Sequence, residues 1–511
     1  VTAPAIPAPQ PLNQGVGVVA SGRPARRPRT RRNIELALLV FALLLVAGYA
    51  AAMEVGVMGQ VTFAFWVPVA ILGLLFGLAH VTIRIFAPYA DPVLLPAVAL
   101  INGFGVMFLR RLDLARVSAN KRADFSVFEG IAFRQLEWTA IAVVGAIALL
   151  IIVRDHRALS RYAYTLGLTG IVLVLIPAIL PGRFSNVNGA KLWIKFGGAF
   201  QIQPGEFAKL ALLAFFAYYL VRKREVLSLA SKRILGIDFP RGRDLGPVLT
   251  VWLLSLAVLI FEKDLGTSLL YFGMFVVTLY IATERVSWLI IGLLLFFGGA
   301  FAAYFLGAAV GGPFANFYER ATIWLDPFGT PQNQRATHAG YQLVQSLLGL
   351  GTGGLFGAGP GVGQPQQVPE VRTDFIFAGM GEEIGLFGLT ALLVVYLLIV
   401  ERGLRAALGV RDSFGKLFGG GLAFTLGLQV FVIVGGVSEL IPLTGQTTPF
   451  LSAGGSSLMA NWLLIALLLR ISDAGRRPAG SSAAIRGFTS GPTGGPGKLQ
   501  DLPTEVMRGQ Q

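Results

Sequence analysis

The sequence predicts an all-α polytopic membrane protein with about twelve transmembrane helices, a long extracytoplasmic loop region and disordered termini. Three observations carry this. The 511-residue chain is 54% hydrophobic and only 14% charged, with a mean hydropathy of +0.67, so a soluble core has no room for its apolar side chains. Windows such as ELALLVFALLLVAGYAAAMEV and LGPVLTVWLLSLAVLIF are apolar on every face and close to the length that crosses hydrocarbon. These runs are continuous, whereas a barrel has short alternating segments, so they are helices.

Residues 1–33 are rich in Pro, Ala and Arg and end SGRPARRPRTRR, directly ahead of a full-length span. That order predicts a disordered basic tail rather than a cleaved signal, which has its charges first and then a short apolar core. Spans are expected near 35–54, 61–82, 91–109, 134–153, 162–180, 205–222, 245–262, 265–283, 287–308, 375–400, 418–438 and 452–471, within a transmembrane domain over 34–472. Between them, 309–374 is far longer than two neighbouring spans require, and loops of that length are usually functional or disordered. After 472, SDAGRRPAGSSAAIRGFTSGPTGGPG is too rich in Gly, Ser and Pro to build a core, so 473–511 is read as a second tail.

Lys and Arg in short loops set the orientation. With the N-terminus inside, the inner side receives RPARRPRTRR, RDHRALSR, RKREVLSLASKRILGIDFPRGR and ERGLRAALGVRDSFGK, so both termini are expected in the cytoplasm. One outer segment, RRLDLARVSANKRADFSVFEG, runs against the rule. Three polar segments, 181–204, 261–267 and 309–374, then share the outer side. The net charge of +15 is gathered in tails and loops where insertion already accounts for it, so nucleic-acid binding is not indicated. No cysteine is present, which removes disulfides, thiolate metal sites and cysteine nucleophiles. His80, His156 and His338 are far apart, with no carboxylate at ligand spacing, so no histidine-built metal site is expected.

Four polar constellations remain. In NVNGAKLWIKFGGAFQIQPGEFAKLALL, Lys191, Trp193 and Lys195 precede a turn, and Glu206 and Lys209 follow on one helical face. They read either as a locally paired couple at a membrane edge or as a cationic pocket with an aromatic lid for an anionic amphiphile. In IFEKDLGTSLL, Glu262, Lys263 and Asp264 form a wet hairpin turn, or Asp264 starts a helix whose N-terminus faces the outer cavity. In the long outer region, YERATIWLDPFGTP contributes Arg320, and Tyr341, Gln342, Gln345 and Ser346 recur at helical spacing beside Leu343, Leu347 and Leu348. That spacing predicts an amphipathic helix at the interface. The following GLGTGGLFGAGPGVG allows tight turns but lacks the Lys-Ser/Thr of a phosphate loop. The region ends PEVRTDFIFAGMGEEIGLFG, where Arg372 and Asp374 stand at the threshold of an apolar run: Asp374 is either a helix cap or a group doing chemistry at the membrane surface. Glu382 and Glu383, deeper in that run, are expected to be buried partners of cations. Lastly, GGVSELIPLTGQTTPFLSAGGSSLMANW, broken by Pro442, Pro449 and paired glycines, either lets helices pack closely or lines a cavity.

Taken together, NGAKLWIKFG…FQIQPGEFAKL, KDLGTSLL, AGYQLVQSLLGLGTGGLFGAG, VPEVRTDFIFAGMGEEIGLFG and IPLTGQTTPFLSAGGSSL resemble, in the family's order across 181–472, the SEDS family of shape, elongation, division and sporulation proteins. The N-terminal third resembles it chiefly at DPVLLPAVALINGFGVMFLRRLD. The resemblance implies a peptidoglycan glycosyltransferase that polymerises lipid II at the outer face of the cytoplasmic membrane, beside a class B penicillin-binding protein that supplies transpeptidase activity. It implies that Asp374, the Asp of the TDFIFA motif, is the essential carboxylate. Trp193 matches the family's GA-x-R-W motif, but Leu192 stands at the arginine position, so Lys191 or Lys195 must supply that charge. LDPFGTPQNQRATHAGYQ is longer than the family's usual link, and SAGGSS replaces the commoner SYGGSS. The TTPFLSAGGSS end and the arginine-rich tails favour RodA-like elongation over FtsW-like division.

On this reading Asp374 takes a proton from the acceptor hydroxyl, and Lys191, Lys195, Arg320 and Arg372 are the candidates to hold the leaving undecaprenyl diphosphate. Trp193, Asp264, Gln342, Gln345 and Ser346 complete the expected substrate-binding set. A divalent cation is compatible with the chemistry, though no ligand set announces one. The competing readings are a lipid-linked precursor flippase or proton-coupled transporter, in which Asp264, Asp374, Glu382 and Glu383 relay ions, and a non-catalytic scaffold.

Overall fold

The computed structural model describes residues 30–120, 128–187, 190–196, 200–227, 230–234, 237–240, 246–261, 264–329 and 340–478. Most of both expected tails, Glu262, Lys263 and His338 lie outside the described residues. The helices are α1 (Arg32–Met58), α2 (Trp66–Phe86), α3 (Leu94–Asn120), α4 (Ile131–Ile152), α5 (Ala158–Arg161), α6 (Ala163–Ile179), α7 (Gly182–Ser185), α8 (Pro204–Leu227), α9 (Gly246–Phe261), α10 (Leu265–Thr283), α11 (Val286–Ala309), α12 (Ala315–Leu325), α13 (Gly340–Gly353), α14 (Ile376–Gly409), α15 (Ser413–Val437) and α16 (Gly455–Arg476). Three two-stranded antiparallel hairpins join them: β1 (Asn186–Val187) with β2 (Ala190–Lys191), β3 (Ile194–Phe196) with β4 (Phe200–Ile202), and β5 (Ala230–Ile234) with β6 (Ile237–Pro240).

Among the described residues, ten helices are long and apolar enough to cross a membrane. All twelve expected spans are helical; α6 and α9, of 17 and 16 residues, are the two that fall short of that length. The chain is therefore a multi-pass membrane protein. The bundle is organised around α3, α15 and α16, whose apolar windows are mostly buried, while only 11% of that of α11 is. Helix α1 packs on α3, α4 on α16, α6 on α8 and α14 on α15.

Both ends of the bundle extend beyond the expected domain limits, because polar residues there are paired rather than solvated. Arg32 starts α1, is buried, and bonds Glu35 and the Ala90 carbonyl; Glu35 also faces His80 Nδ1 at 2.7 Å. Helix α16 continues past 472 because Asp473 accepts from Tyr89 N–H (2.9 Å) and Arg477 (2.6 Å), while Arg476 bonds Asp91. The loop connections α4–α5 and α14–α15 are tied by Asp412, which caps α15 through Gly415 N–H (2.7 Å) and also binds His156 Nε2 (3.0 Å) and Arg157 Nε (3.1 Å).

Two of the five cations in RRLDLARVSANKRADFSVFEG, the segment that runs against the charge rule, are paired inside the protein. Arg110 bonds Glu54 of α1, and Arg111 Nε donates to Glu383 Oε1 of α14 at 2.6 Å; all four side chains are buried. Two residues on, Asp113 caps α4 by accepting from Ile131 N–H (3.1 Å) and Ala132 N–H (2.9 Å). Charges neutralised inside the protein carry little weight in orientation, which is read from cations near the ends of spans. Glu383 is thus the cation partner expected of it, while Glu382 accepts from Gln364 N–H at 2.7 Å.

Helix α14 is broken at Gly385, whose φ of +66° is open to glycine and strained for other residues. The backbone groups freed by the break are paired by the glycine-rich segment after α13. Ala358 and Gly359 N–H donate to the Glu382 and Glu383 carbonyls (2.9 and 3.0 Å), and Leu386 and Phe387 N–H donate to the Gly354 and Leu355 carbonyls (3.0 and 3.1 Å). Irregular backbone at this depth is tolerated because protein, not lipid, satisfies it.

Candidate active site

Asp374 lies in the turn ahead of α14, on a backbone gripped by the segment TGQTTPFLSAG, 444–454. Ala453 N–H donates to the Arg372 carbonyl (2.8 Å), and Ser452 Oγ donates to that of Thr373 (2.5 Å). The gripping segment is itself anchored: Thr448 N–H donates to Ser452 Oγ (2.9 Å), Gln135 Nε2 to the Ser452 carbonyl (2.9 Å), Asn102 Nδ2 to the Phe450 carbonyl (3.1 Å) and Tyr396 OH to that of Pro449. Helices α3, α4 and α14 therefore fix where residue 374 begins. The proline- and glycine-broken stretch that read equally as packing or cavity lining serves as this clamp.

The side chain of Asp374 is not a cap. Phe375 occupies the N-cap position of α14, with no side-chain bond. Among the described residues Asp374 makes no hydrogen bond or salt bridge. Its carboxylate and the guanidinium of Arg320 instead face the same point, the Cα of Gly445, whose φ is +72°. A Cβ built there would lie 3.4 Å from both Arg320 Nη atoms and 3.7 Å from Asp374 Oδ2. Glycine keeps open the space between a carboxylate and a guanidinium. Arg320 is held from α12 by Nη1 donating to the Leu443 carbonyl at 2.7 Å.

Burial among protein groups pushes the Asp374 carboxyl up to about 6, against the lowering effect of Arg320 and with help from Glu370 and Asp264. Asp264 is the N-cap of α10, accepting from Thr267 N–H (2.9 Å) and Thr267 Oγ1 (2.6 Å). Burial raises its carboxyl too, opposed by those Thr267 bonds and by Arg320. Thr267 Oγ1 accepts from Gln446 Nε2 at 2.7 Å, which links Asp264 to the residue beside Gly445. Leu443, Gly445 and Gln446 were not legible as site residues; the prolines and paired glycines of their stretch were the one signal.

The remaining expected residues divide. Lys191 and Trp193 are half-buried near the β1–β2 and β3–β4 hairpins, and Lys195 Nζ donates to the Asn186 carbonyl at 2.6 Å. Among the described residues no bond joins these three to Asp374. Glu206 and Lys209 form the local couple, at 2.7 Å, and Lys209 also reaches Gln429 (2.9 Å) and Asn461 (3.4 Å), all inside the bundle. Helix α13 appears where an amphipathic helix was expected, with Gln342 and Gln345 half-buried. Ser346 is fully buried and its hydroxyl donates to the Val437 carbonyl at 3.2 Å, which joins α13 to α15. Arg372 is half-exposed, 3.7 Å from Glu370 Oε2, while its carbonyl serves the clamp. Among the described residues no group of three or more His, Cys, Asp and Glu side chains is arranged to hold a metal ion.

A multi-pass bundle with an unpaired carboxylate and a guanidinium converging at the end of its spans is a polytopic membrane protein built to act at the membrane surface. Residues 92–477 match the FtsW, RodA and SpoVE family of cell cycle proteins, and the chain belongs to that family. It is 48% identical over 453 residues to the peptidoglycan glycosyltransferase RodA of Mycobacterium tuberculosis, covering 88% of this chain and 92% of that one. It is 34% identical to a probable peptidoglycan glycosyltransferase FtsW of Geobacter metallireducens, over 74% and 93% of the two chains. Among solved structures it resembles a chain of a peptidoglycan synthase complex described as coordinating polymerization and crosslinking, with a TM-score of 0.51 and 25% identity over 80% and 97% of the chains. The fold is also that of RodA from Thermus thermophilus, with a TM-score of 0.50 and 24% identity over 75% and 97%.

Proposed function

We propose that this chain is a peptidoglycan glycosyltransferase of the elongation type, which polymerises lipid II at the outer face of the cytoplasmic membrane with Asp374 as its base. The activity class rests on relatives named for it, and the RodA relative, at 48% against 34% for FtsW, favours elongation and shape. The observation that carries the site is the open carboxylate of Asp374 facing Arg320 across Gly445. In the reaction, the 4-hydroxyl of the acceptor N-acetylglucosamine attacks C1 of the donor N-acetylmuramic acid. Its proton passes to Asp374, the bond from C1 to the diphosphate oxygen breaks, and undecaprenyl diphosphate leaves. A carboxyl titrating near 6 is ionised at neutral pH yet basic enough to take part of that proton. Arg320 lies where positive charge stabilises the leaving diphosphate.

The same orientation puts both termini in the cytoplasm, supported by the cation-rich inner loops. A class B penicillin-binding protein is the proposed partner, since the structural relative in a synthase complex is described as joining polymerization to crosslinking. Ion relay is disfavoured at Glu383, whose carboxylate is held by the buried guanidinium of Arg111. The test is reconstitution with the partner and labelled lipid II. Asp374→Asn inserts normally and makes no glycan; glycan chains of ordinary length from that variant overturn the reading.

A further inference from the structure

A separate cavity of about 220 Å³ shares no lining residue with the Asp374, Arg320 and Gly445 cluster. Arg116, near the end of α3, lines it together with Gln366, Val368, Glu370 and Arg372 of the segment that leads to Asp374. Arg116 is exposed and, among the described residues, in no salt bridge. Glu370 sits at φ +52°, a conformation few non-glycine residues adopt, held by Thr373 N–H (2.9 Å) and Phe375 N–H (3.3 Å) on its carbonyl. Its carboxylate accepts from Thr373 Oγ1 at 3.1 Å and stands 3.7 Å from Arg372 Nε. The lining thus carries two guanidiniums and one carboxylate and is net positive; the acid acting on Arg116, Asp113, is outside it.

Size and wetness narrow what it takes. The cavity is below the roughly 300–1,000 Å³ of pockets that enclose whole small ligands, so it accepts a fragment rather than a disaccharide. Both arginines are open to water, whereas the diphosphate must lie where the bond to C1 breaks, beside Asp374 and Arg320. We propose that Arg116 and Arg372 form an anion subsite for a free carboxylate of the peptide stem on the lipid-linked sugar being joined. This rests on the glycosyltransferase reading, and it adds recognition of the stem to it.

The experiment compares wild type and Arg116→Gln, each with the partner, on two synthetic forms of lipid II: one with free stem carboxylates, the other with them amidated. Arg116→Gln is expected to raise KM for the free acid about fivefold, the size one exposed charge pair supports, with kcat within twofold. On the amidated substrate, wild type and variant have the same KM, and Arg116→Lys recovers most of the loss on the free acid. An unchanged KM for the free acid overturns the subsite. An equal rise on both substrates also overturns it, assigning the anion to the diphosphate instead. Failure of the underlying reading looks different: Asp374→Asn still polymerises both substrates.

Discussion

Gly445→Ala is the most discriminating perturbation of the site. The added methyl lies 3.4 Å from both Arg320 Nη atoms and 3.7 Å from Asp374 Oδ2, which is ordinary van der Waals contact. Neither side chain has to move, but the space between them, where a substrate oxygen must enter, is filled by carbon. The φ of +72° adds about 1–2 kcal/mol of backbone strain, which alone would lower stability and leave the chemistry intact. Gly59 separates the two effects: its φ is +74°, and a Cβ there meets nothing within 4 Å. Both variants are therefore expected to lose similar thermal stability in detergent, while only Gly445→Ala loses polymerisation of lipid II. That loss should reach about 100-fold, the scale of one displaced transition-state contact. Activity within threefold of Gly59→Ala would refute the placement of substrate between Asp374 and Arg320.

Two further expectations follow from the same charges. If Asp374 is the base proposed, it acts deprotonated, and with its carboxyl raised to about 6, kcat/KM should be level above that pH and fall about tenfold per unit below it; Arg320→Gln should move the midpoint upward, and a flat profile from pH 5 to 7 would exclude Asp374 as the base. Arg111→Met leaves Glu383 buried without its cation and should cost about 3–5 kcal/mol, read as reduced thermal stability in detergent, with Glu383→Gln in the same chain restoring most of it; an unaltered melting temperature for Arg111→Met would contradict the pairing.

The spans were readable because hydrocarbon demands long, uniformly apolar helices, and that demand is written locally. Asp374 was readable because a carboxylate at the threshold of such a run needs a reason. That it does not cap α14 was not readable, since that depends on Phe375 taking the N-cap and on a clamp almost 80 residues downstream. Partners of Arg110 and Arg111 lie 56 and 272 residues away, so nothing local in the segment told that these two of its cations are neutralised. Helical spacing defines the polar stripe of α13 but not which neighbour covers Ser346; α15 does. The break at Gly385 was hidden among other glycines, for only its positive φ and the strand-like pairing with residues 354–359 distinguish it.

The clamp on residues 372 and 373 holds carbonyl oxygens, not side chains. Position and recognition are therefore encoded in different atoms of the same turn: the main chain delivers Asp374 to Arg320, and the side chains beside it are released from that duty. The Arg372 side chain is free of the clamp, so replacing it is expected to leave the carboxylate two residues on in place. Register, rather than identity, is what this turn cannot surrender.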